Sequence, residues 1–241
     1  CFYELSGMII SYARFGIKVD FVGHPLLDEL RKHHAEALKE SPEITNILAR
    51  DSRPIIALLP GSRKQEITKM LPVMVSVTDA FPQYQFVVAG VKWQPEELYR
   101  SLMPKNPLPI VWGATYALLQ QSYAALVTSG TATLETALFN IPQVVLYQAN
   151  SISYLIAKQL IKDISYISLP NLIMDKLVVT ELIQYECNQQ RVIEELMKIT
   201  VNEPSRFQML EDYKKLVEIL GNGNASLKTA KIVYDSMLNN K

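Results

Sequence analysis

Residues 55–63 read IIALLPGSR, five consecutive apolar residues and then a turn that ends in arginine. An apolar run of this length is typical of a strand that is buried on both faces, as in a parallel sheet. Residues 65–80 follow with apolar side chains at helical spacing. The segment therefore predicts a strand, a tight loop and a helix in succession.

The same order of strand and helix recurs along the middle of the chain. Further apolar runs lie at 86–89, 109–112, 124–127 and 144–147, and helical patterns follow them at 96–102, 116–121, 131–139 and 151–162. This alternation predicts an α/β fold with a doubly wound, Rossmann-like parallel sheet over roughly residues 50–170. From about residue 188 the pattern is purely helical, with breaks at 202–204 and 221–224, so trailing C-terminal helices are expected.

Composition and charge are those of an ordinary globular protein. Hydrophobic residues make up 49% and charged residues 20% of the 241 residues. The 24 Lys and Arg balance the 24 Asp and Glu, so no overall field would attract nucleic acid. Two cysteines, Cys1 and Cys187, are too few for a secretory disulfide framework and favour a reducing compartment.

The N-terminus and the apolar runs of the sequence give no sign of a signal peptide or a spanning helix. No apolar run approaches the ~18 residues of a spanning helix, and the N-terminus does not have the pattern of a signal peptide. The first residue is Cys1 rather than methionine, which suggests a fragment or a processed chain.

The first candidate site is the loop Gly61-Ser62-Arg63. In doubly wound folds ligands bind at the carboxyl ends of the strands. Gly61 would let a ligand approach the backbone, the following helix start attracts phosphate, and Arg63 can add a charge-assisted contact. The structural alternative is that Ser62 and Gln65 form a capping box, with Arg63 only solvated. The Gly-Lys-Ser/Thr ending of a P-loop is missing.

The second candidate site is the loop Ser129-Gly130-Thr131, which opens the helix that carries Glu135. Thr131 and Glu135 share a helical face, and a carboxylate there can accept two hydrogen bonds from a ribose diol. The alternative is an acid favoured by the helix dipole. The apolar neighbours of Glu135 favour ligand contact, because a carboxylate among them needs a partner. Together the two loops predict a diphosphate between two helix N-termini, without identifying the ligand.

Five short motifs, in their order and spacing, resemble the lipid-A-disaccharide synthases. They are FVGHPL at 21–26, LLPGSR at 58–63 with Glu66, SGTATLE at 129–135, SLPNL at 168–172 and ELIQ at 181–184. Each motif alone is weak, but the ordered set is specific. The resemblance implies the two-domain glycosyltransferase B fold, of which this chain is the C-terminal, donor-binding half.

This resemblance divides the chain into three parts. Residues 1–49 would be a linker strand and helix that join the N-terminal domain. Residues 50–187 would be a Rossmann-like domain that binds a UDP-sugar, and residues 188–241 would be C-terminal helices that pack on that domain. The family's glycine-rich loop and its acceptor-activating carboxylate belong to the N-terminal domain, which is absent from this sequence. We therefore expect no catalysis by this chain alone.

The resemblance also implies roles for individual residues. It implies that Arg63 and Asn171 are catalytic and that both bind substrate, as do Gly61, Ser62, Ser129, Gly130, Thr131, Glu135 and Gln184. From the residues alone, Asn171 after a Leu-Pro pair has the features of a turn or cap residue.

The implied reaction joins UDP-2,3-diacylglucosamine to 2,3-diacylglucosamine 1-phosphate, giving lipid A disaccharide 1-phosphate and UDP. Negative charge grows on the β-phosphate, where Arg63 and the helix N-termini can stabilise it. No cofactor is implied. The sequence has no Asp-x-Asp motif, and His24, His33 and His34 form no plausible metal-ligand set, so we expect metal-independent transfer. His24 is expected to have a structural or hinge role.

The implied substrates carry acyl chains, which predicts a protein of Gram-negative bacteria that is cytoplasmic and peripheral on the cytoplasmic face of the inner membrane. A homodimer is possible. The helix predicted over 151–162 has an apolar face, with Lys158 and Lys162 on another face. It is either a core-packing helix or an edge that faces anionic lipid.

Two other classes of function remain open. One is another UDP-N-acetylglucosamine enzyme of the same fold, either an epimerase or the peptidoglycan glucosaminyltransferase, although the motifs at 61–63 and 169–171 argue against it. The other is a non-catalytic module that binds a nucleotide.

Overall fold

The structure, a computed structural model, describes residues 20, 22–36, 42–148, 166–201, 204–221 and 223–239. For residues 31–36 and 239 it describes the backbone alone. The helix predicted over 151–162, with Lys158 and Lys162, lies outside the described residues, as do the side chains of His33 and His34.

The described part of the chain contains one sheet of six parallel strands. They are β1 (Ile55–Leu59), β2 (Gln85–Gly90), β3 (Ile110–Trp112), β4 (Ser122–Thr128), β5 (Gln143–Tyr147) and β6 (Thr180–Ile183). Their order across the sheet is β3-β2-β1-β4-β5-β6. The chain therefore builds outward from β1 in one direction and then from β4 in the other, which confirms the predicted doubly wound arrangement.

Helices precede, connect and follow the strands of the sheet. They are α1 (Pro25–Glu36), α2 (Pro42–Arg50), α3 (Lys64–Val75), α4 (Glu96–Leu102), α5 (Thr115–Gln120), α6 (Thr131–Leu138), α7 (Leu169–Met174), α8 (Gln189–Thr200), α9 (Pro204–Leu220) and α10 (Ala225–Asn239). The last three are the predicted trailing helices. None of the helices in the described ranges has both the length and the apolar character needed to cross a bilayer.

The sheet is covered on both faces because its central strands are apolar on both faces. All five residues of β1 are buried. Side chains alternate along a strand, so Ile56 and Leu58 pack with α3, α8 and α9, whereas Ala57 and Leu59 pack with α1, α2 and α5. With both faces covered, a ligand can approach the sheet only at the ends of its strands.

The helix predicted over 65–80 ends earlier, at Val75. The hydroxyls of Ser76 and Thr78 donate to the backbone oxygens of Val73 and Val75, at 2.7 Å and 2.9 Å. These carbonyls belong to the last turn, where no further helical N–H reaches them, and the hydroxyls satisfy them instead. The chain then makes the 3-10 turn Thr78–Ala80.

The sheet also extends beyond the predicted limit near residue 170. The extra strand, β6, is an edge strand that pairs with β5. Thr180 and Glu181 are only partly buried there, and an edge position needs no continuous apolar run, which is why periodicity did not indicate this strand. α7 was missed because Pro170 resembles a turn residue, although proline is tolerated in the first turn of a helix.

The amide of Asn171 joins α7 to β6. Nδ2 donates to the backbone oxygen of Val179 and to the carboxylate of Glu181, both at 2.8 Å. Oδ1 accepts from the backbone N–H groups of Val178 and Val179, at 2.7 Å and 2.8 Å. These four bonds use the whole hydrogen-bonding capacity of the amide, and the side chain is fully buried. Glu181 also accepts from the backbone and hydroxyl of Ser168, just before α7.

A second junction, at His24, connects the start of α1 to the end of α9. The backbone N–H of His24 donates to the oxygen of Leu220 at 3.1 Å, and Nδ1 accepts from the N–H of Leu26 at 3.1 Å. Burial lowers the pKa of this imidazole, which favours its neutral form. These contacts support the structural role expected for His24.

We predict that Asn171→Ala lowers the free energy of unfolding by about 2–4 kcal/mol, because it leaves several buried polar groups without partners. Denaturant titration measures this loss. The control is Asn106→Ala, which removes one hydrogen bond, to Thr78, from a half-buried side chain. It should cost less than about 1 kcal/mol. Equal losses in the two variants would contradict the role assigned to the Asn171 amide.

Candidate functional site

A cavity of about 1000 Å³ opens at the carboxyl ends of β1, β2, β3 and β4. Its walls are formed by the segments that follow these strands, represented by Gly61, Trp93, Tyr116 and Ser129. It lies where the strand order reverses, which is the usual ligand position in a doubly wound fold. Another cavity, of about 700 Å³, lies at the amino ends of β1, β2 and β3 and is lined by none of the predicted site residues.

The large cavity brings the two predicted loops together. Its lining includes the predicted residues Gly61, Ser62, Arg63, Ser129, Gly130, Thr131 and Glu135. The lining does not include Asn171, whose amide is fully used in the α7–β6 junction, or Gln184. Gln184 follows β6 and is half-buried, and its Nε2 has no hydrogen-bond partner among the described residues. The roles of Asn171 and Gln184 in ligand binding stay predictions from the resemblance.

The first loop holds an anion of its own, the carboxylate of Glu66. Oε2 of Glu66 accepts from the backbone N–H groups of Ser62 and Arg63, at 3.0 Å and 3.1 Å, and Oε1 accepts from Nη1 of Arg63 at 2.9 Å. The alternative capping box of Ser62 and Gln65 is therefore wrong. The helix begins one residue later than that pairing requires, with Arg63 as its N-cap, so the acid that reaches back is Glu66.

Gly61 is needed in the first loop because Glu66 lies over it. Its φ of +100° is one that glycine adopts easily and other residues rarely adopt. A Cβ at this position would lie 2.6 Å from Oε2 of Glu66 and 2.8 Å from its Cβ. The guanidinium of Arg63, by contrast, is open to the cavity, since its side chain is 83% exposed. This loop therefore offers a ligand the guanidinium rather than the backbone N–H groups of Ser62 and Arg63.

The second loop is open to a ligand. A Cβ added to Gly130 would meet no atom within 4 Å. The N–H groups of Thr131 and Ala132 lie in the first turn of α6, where they have no partner within the helix, and this end carries a partial positive charge. Ser129 Oγ donates to the oxygen of Ile167 at 3.2 Å, which ties the loop to the segment before α7. An anion can therefore bind at the start of α6.

Glu135 lies one turn inside α6 and has the partner that its apolar surroundings require. Oη of Tyr116 donates to Oε1 of Glu135 at 2.9 Å. Burial raises the pKa of the Glu135 carboxyl, and the hydrogen bond from Tyr116 acts in the opposite direction. Burial also raises the pKa of the Tyr116 phenol, which therefore stays a donor. Within the described ranges no group donates to Oε2 of Glu135, which can therefore accept from a ligand.

The prediction missed the side chains that follow β2 and β3. Lys92 adds an exposed cation to the cavity, and Nε1 of Trp93 donates to the oxygen of Ser62 at 3.1 Å, joining two of the loops. Tyr116 was missed in the same way. Their only signal was position, since each follows a predicted strand as Arg63 and Ser129 do. With two cations, a helix start and a half-buried carboxylate, the cavity can bind a diphosphate next to a diol.

The family model and the sequence relatives that match this chain point to the same family. The family model described as lipid-A-disaccharide synthetase matches residues 10–234. The chain is 36% identical over 238 residues to the lipid-A-disaccharide synthase of Psychromonas ingrahamii and 35% identical over 227 residues to that of Syntrophus aciditrophicus. These alignments cover 95% and 91% of this chain, and 60% and 58% of the relatives. The chain thus spans less than two thirds of the length of the curated relatives it matches.

Solved structures share the fold at lower identity. The UDP-GlcNAc 2-epimerase from Neisseria meningitidis bound to UDP-GlcNAc has a TM-score of 0.56 at 17% identity, covering 90% of this chain and 54% of the epimerase. A spinosyn rhamnosyltransferase complexed with spinosyn aglycone has a TM-score of 0.50 at 14% identity, covering 74% and 45%. The fold is the C-terminal half of the glycosyltransferase B fold, as predicted. From the family model and the sequence relatives together, the chain belongs to the lipid-A-disaccharide synthetase family.

Proposed function

We propose that this chain is the donor-binding part of a glycosyltransferase of lipid A biosynthesis. The enzyme would be a hexosyltransferase that joins UDP-2,3-diacylglucosamine to 2,3-diacylglucosamine 1-phosphate. One observation carries the proposal: in a member of this family, one cavity brings together Arg63, the open start of α6 and Glu135. Residues 50–187 would form the UDP-sugar domain, and residues 1–49 would connect it to an acceptor domain. Residues 188–241 would form helices that pack on the UDP-sugar domain.

The proposed position of the diphosphate is set by the difference between the two loops. Glu66 occupies the backbone N–H groups of Ser62 and Arg63, so these groups are not free for phosphate. The start of α6 is open and favours an anion. The diphosphate would therefore bind at Ser129-Gly130-Thr131, with the guanidinium of Arg63 reaching it from the first loop.

In the proposed reaction the acceptor hydroxyl attacks the anomeric carbon, and the bond from that carbon to the β-phosphate oxygen breaks. The electron pair leaves on the phosphate oxygen, while positive charge develops on the sugar ring as in glycoside hydrolysis. Arg63 and the start of α6 would stabilise the negative charge on the leaving UDP. The role of base for the acceptor hydroxyl is assigned to none of the described residues.

The proposed substrates also suggest where the protein acts. Because both are held in a membrane by acyl chains, we infer peripheral contact with the cytoplasmic face of the inner membrane. Assembly as a homodimer stays a prediction.

The proposal is tested by the choice of donor. We expect calorimetric titration to show that the chain binds UDP and that it binds UDP-2,3-diacylglucosamine in preference to UDP-N-acetylglucosamine, with detergent alone as the control. Equal affinity for the two sugars would favour another enzyme of this fold. A ligand that binds the native state raises its melting temperature, so no stabilisation by any UDP-sugar would favour a non-catalytic module.

For Arg63 we expect Arg63→Ala to weaken UDP binding by about 10- to 150-fold, the loss of one charge-assisted contact of roughly 1.5–3 kcal/mol. Binding of uridine should stay nearly unchanged, because it has no phosphate. Arg191→Ala is a matched control, since Arg191 forms the same i,i+3 ion pair with Glu194 away from the cavity. A similar loss for UDP and uridine would show that Arg63 shapes the site without contacting phosphate.

For Glu135 we expect Glu135→Ala to weaken UDP binding by roughly 1.5–3 kcal/mol and to reduce the preference for UDP over 2′-deoxy-UDP. Lower pH should also weaken UDP binding and reduce this preference, because protonation of Glu135 removes the charged acceptor. The raised pKa of Glu135 means that this loss begins at a higher pH than for an exposed glutamate. Titrations of both nucleotides across pH measure these effects.

The control for Glu135 is Glu195→Ala, which removes a buried carboxylate in α8, outside the cavity. It should leave the ribose preference intact. An unchanged preference in a folded Glu135→Ala protein would leave Glu135 a purely structural acid.

A further inference from the structure

The hydroxyl of Thr128 is a buried polar group in the cavity wall. Thr128 is the last residue of β4, is 4% exposed and lines the cavity. Its Oγ1 has no hydrogen-bond partner among the described residues. Most buried hydroxyls do have a partner, and one without a partner destabilises the free protein. Thr128 therefore requires an explanation that the described part of the fold does not supply.

Comparison with the other buried threonines shows why Thr128 differs. Thr78, Thr133, Thr136 and Thr200 are buried too, and each donates to a backbone oxygen three or four residues earlier, at 2.7–2.9 Å. That bond is available in or beside a helix, where the preceding carbonyls point along the axis. Thr128 lies in a strand, whose carbonyls pair with neighbouring strands instead.

The register of the sheet places Thr128 between the two loops of the site. Leu59 of β1 lies opposite Val127, so Thr128 comes level with Pro60, directly before the first loop. Thr128 itself immediately precedes Ser129 of the second loop. Because side chains alternate along a strand, Thr128 shares the sheet face of Leu126, the face that packs with α3. The hydroxyl therefore lies at the reversal point of the strand order, on the side where Arg63 caps α3.

We propose that the hydroxyl of Thr128 donates a hydrogen bond to a phosphate oxygen of the bound nucleotide. This inference rests on the proposed function and adds a binding residue to it. The charged groups of the surrounding walls favour an anion there: Arg63 and Lys92 are exposed to the cavity, and the start of α6 adds a partial positive charge. Of the acids in the lining, Glu66 is already paired with Arg63, and Glu135 accepts from Tyr116.

The test compares Thr128→Val, which keeps the shape of the side chain and removes the hydroxyl, with Thr128→Ser, which keeps the hydroxyl. Each is titrated with UDP, UMP and uridine by calorimetry. We expect Thr128→Val to weaken the binding of UDP and UMP by about tenfold and to leave the binding of uridine unchanged. The melting temperature of the free protein should stay the same or rise. Thr128→Ser should bind close to wild type.

The matched control is Thr136→Val, which removes a buried hydroxyl that already has a partner. It should not change UDP affinity, and it should not raise the melting temperature. If Thr128→Val binds UDP as wild type does, or loses affinity for UDP and uridine equally, the proposed contact with phosphate is wrong while the nucleotide site stands. If wild type binds neither UDP nor UMP, the proposed function fails, and the inference about Thr128 fails with it.

Discussion

The pairing of β1 with β4 is the constraint on which the rest of the structure depends. The strands lie side by side in parallel, and the residues that pair in continuous register, from Ile56 to Leu59 and from Ala124 to Val127, are buried. The chain reaches β4 only after building β2 and β3 on the far side of β1. The loops after β1 and β4 therefore diverge in opposite directions, and the space between them is the cavity.

The two loops contribute differently to that cavity, although both lead from a strand into a helix. In the first, the carboxylate of Glu66 satisfies the backbone and fixes one side of the Arg63 guanidinium. In the second, the helix start has no internal carboxylate and remains open. The result is an exposed cation on the first loop opposite the helix dipole at the open second loop. This difference could not be predicted from the similar Gly-Ser and Ser-Gly patterns of the two loops.

The strands β1 to β5 and the helices between them were predictable because an apolar run buried on both faces leaves a plain signal. β6 was not, since Thr180 and Glu181 belong to an edge strand whose acid is used to hold Ser168 and Asn171. The loops of the site were predictable from their position after strands. The partners within it were not: Glu66 rather than Gln65 caps α3 because the helix starts one residue later, and the contact of Tyr116 with Glu135 joins residues 19 apart in sequence.

The position of Trp93 has a consequence for optical measurements. The sequence contains two tryptophans, and their surroundings differ. Trp93 is 70% exposed on the rim of the cavity, with its indole N–H bonded to the oxygen of Ser62, whereas Trp112 packs edge-on against the buried ring of Tyr99. Emission from the more exposed indole, Trp93, is the component that a molecule entering the cavity would shift or quench most directly. The protein thus carries its own fluorescent reporter of occupancy, without any attached dye.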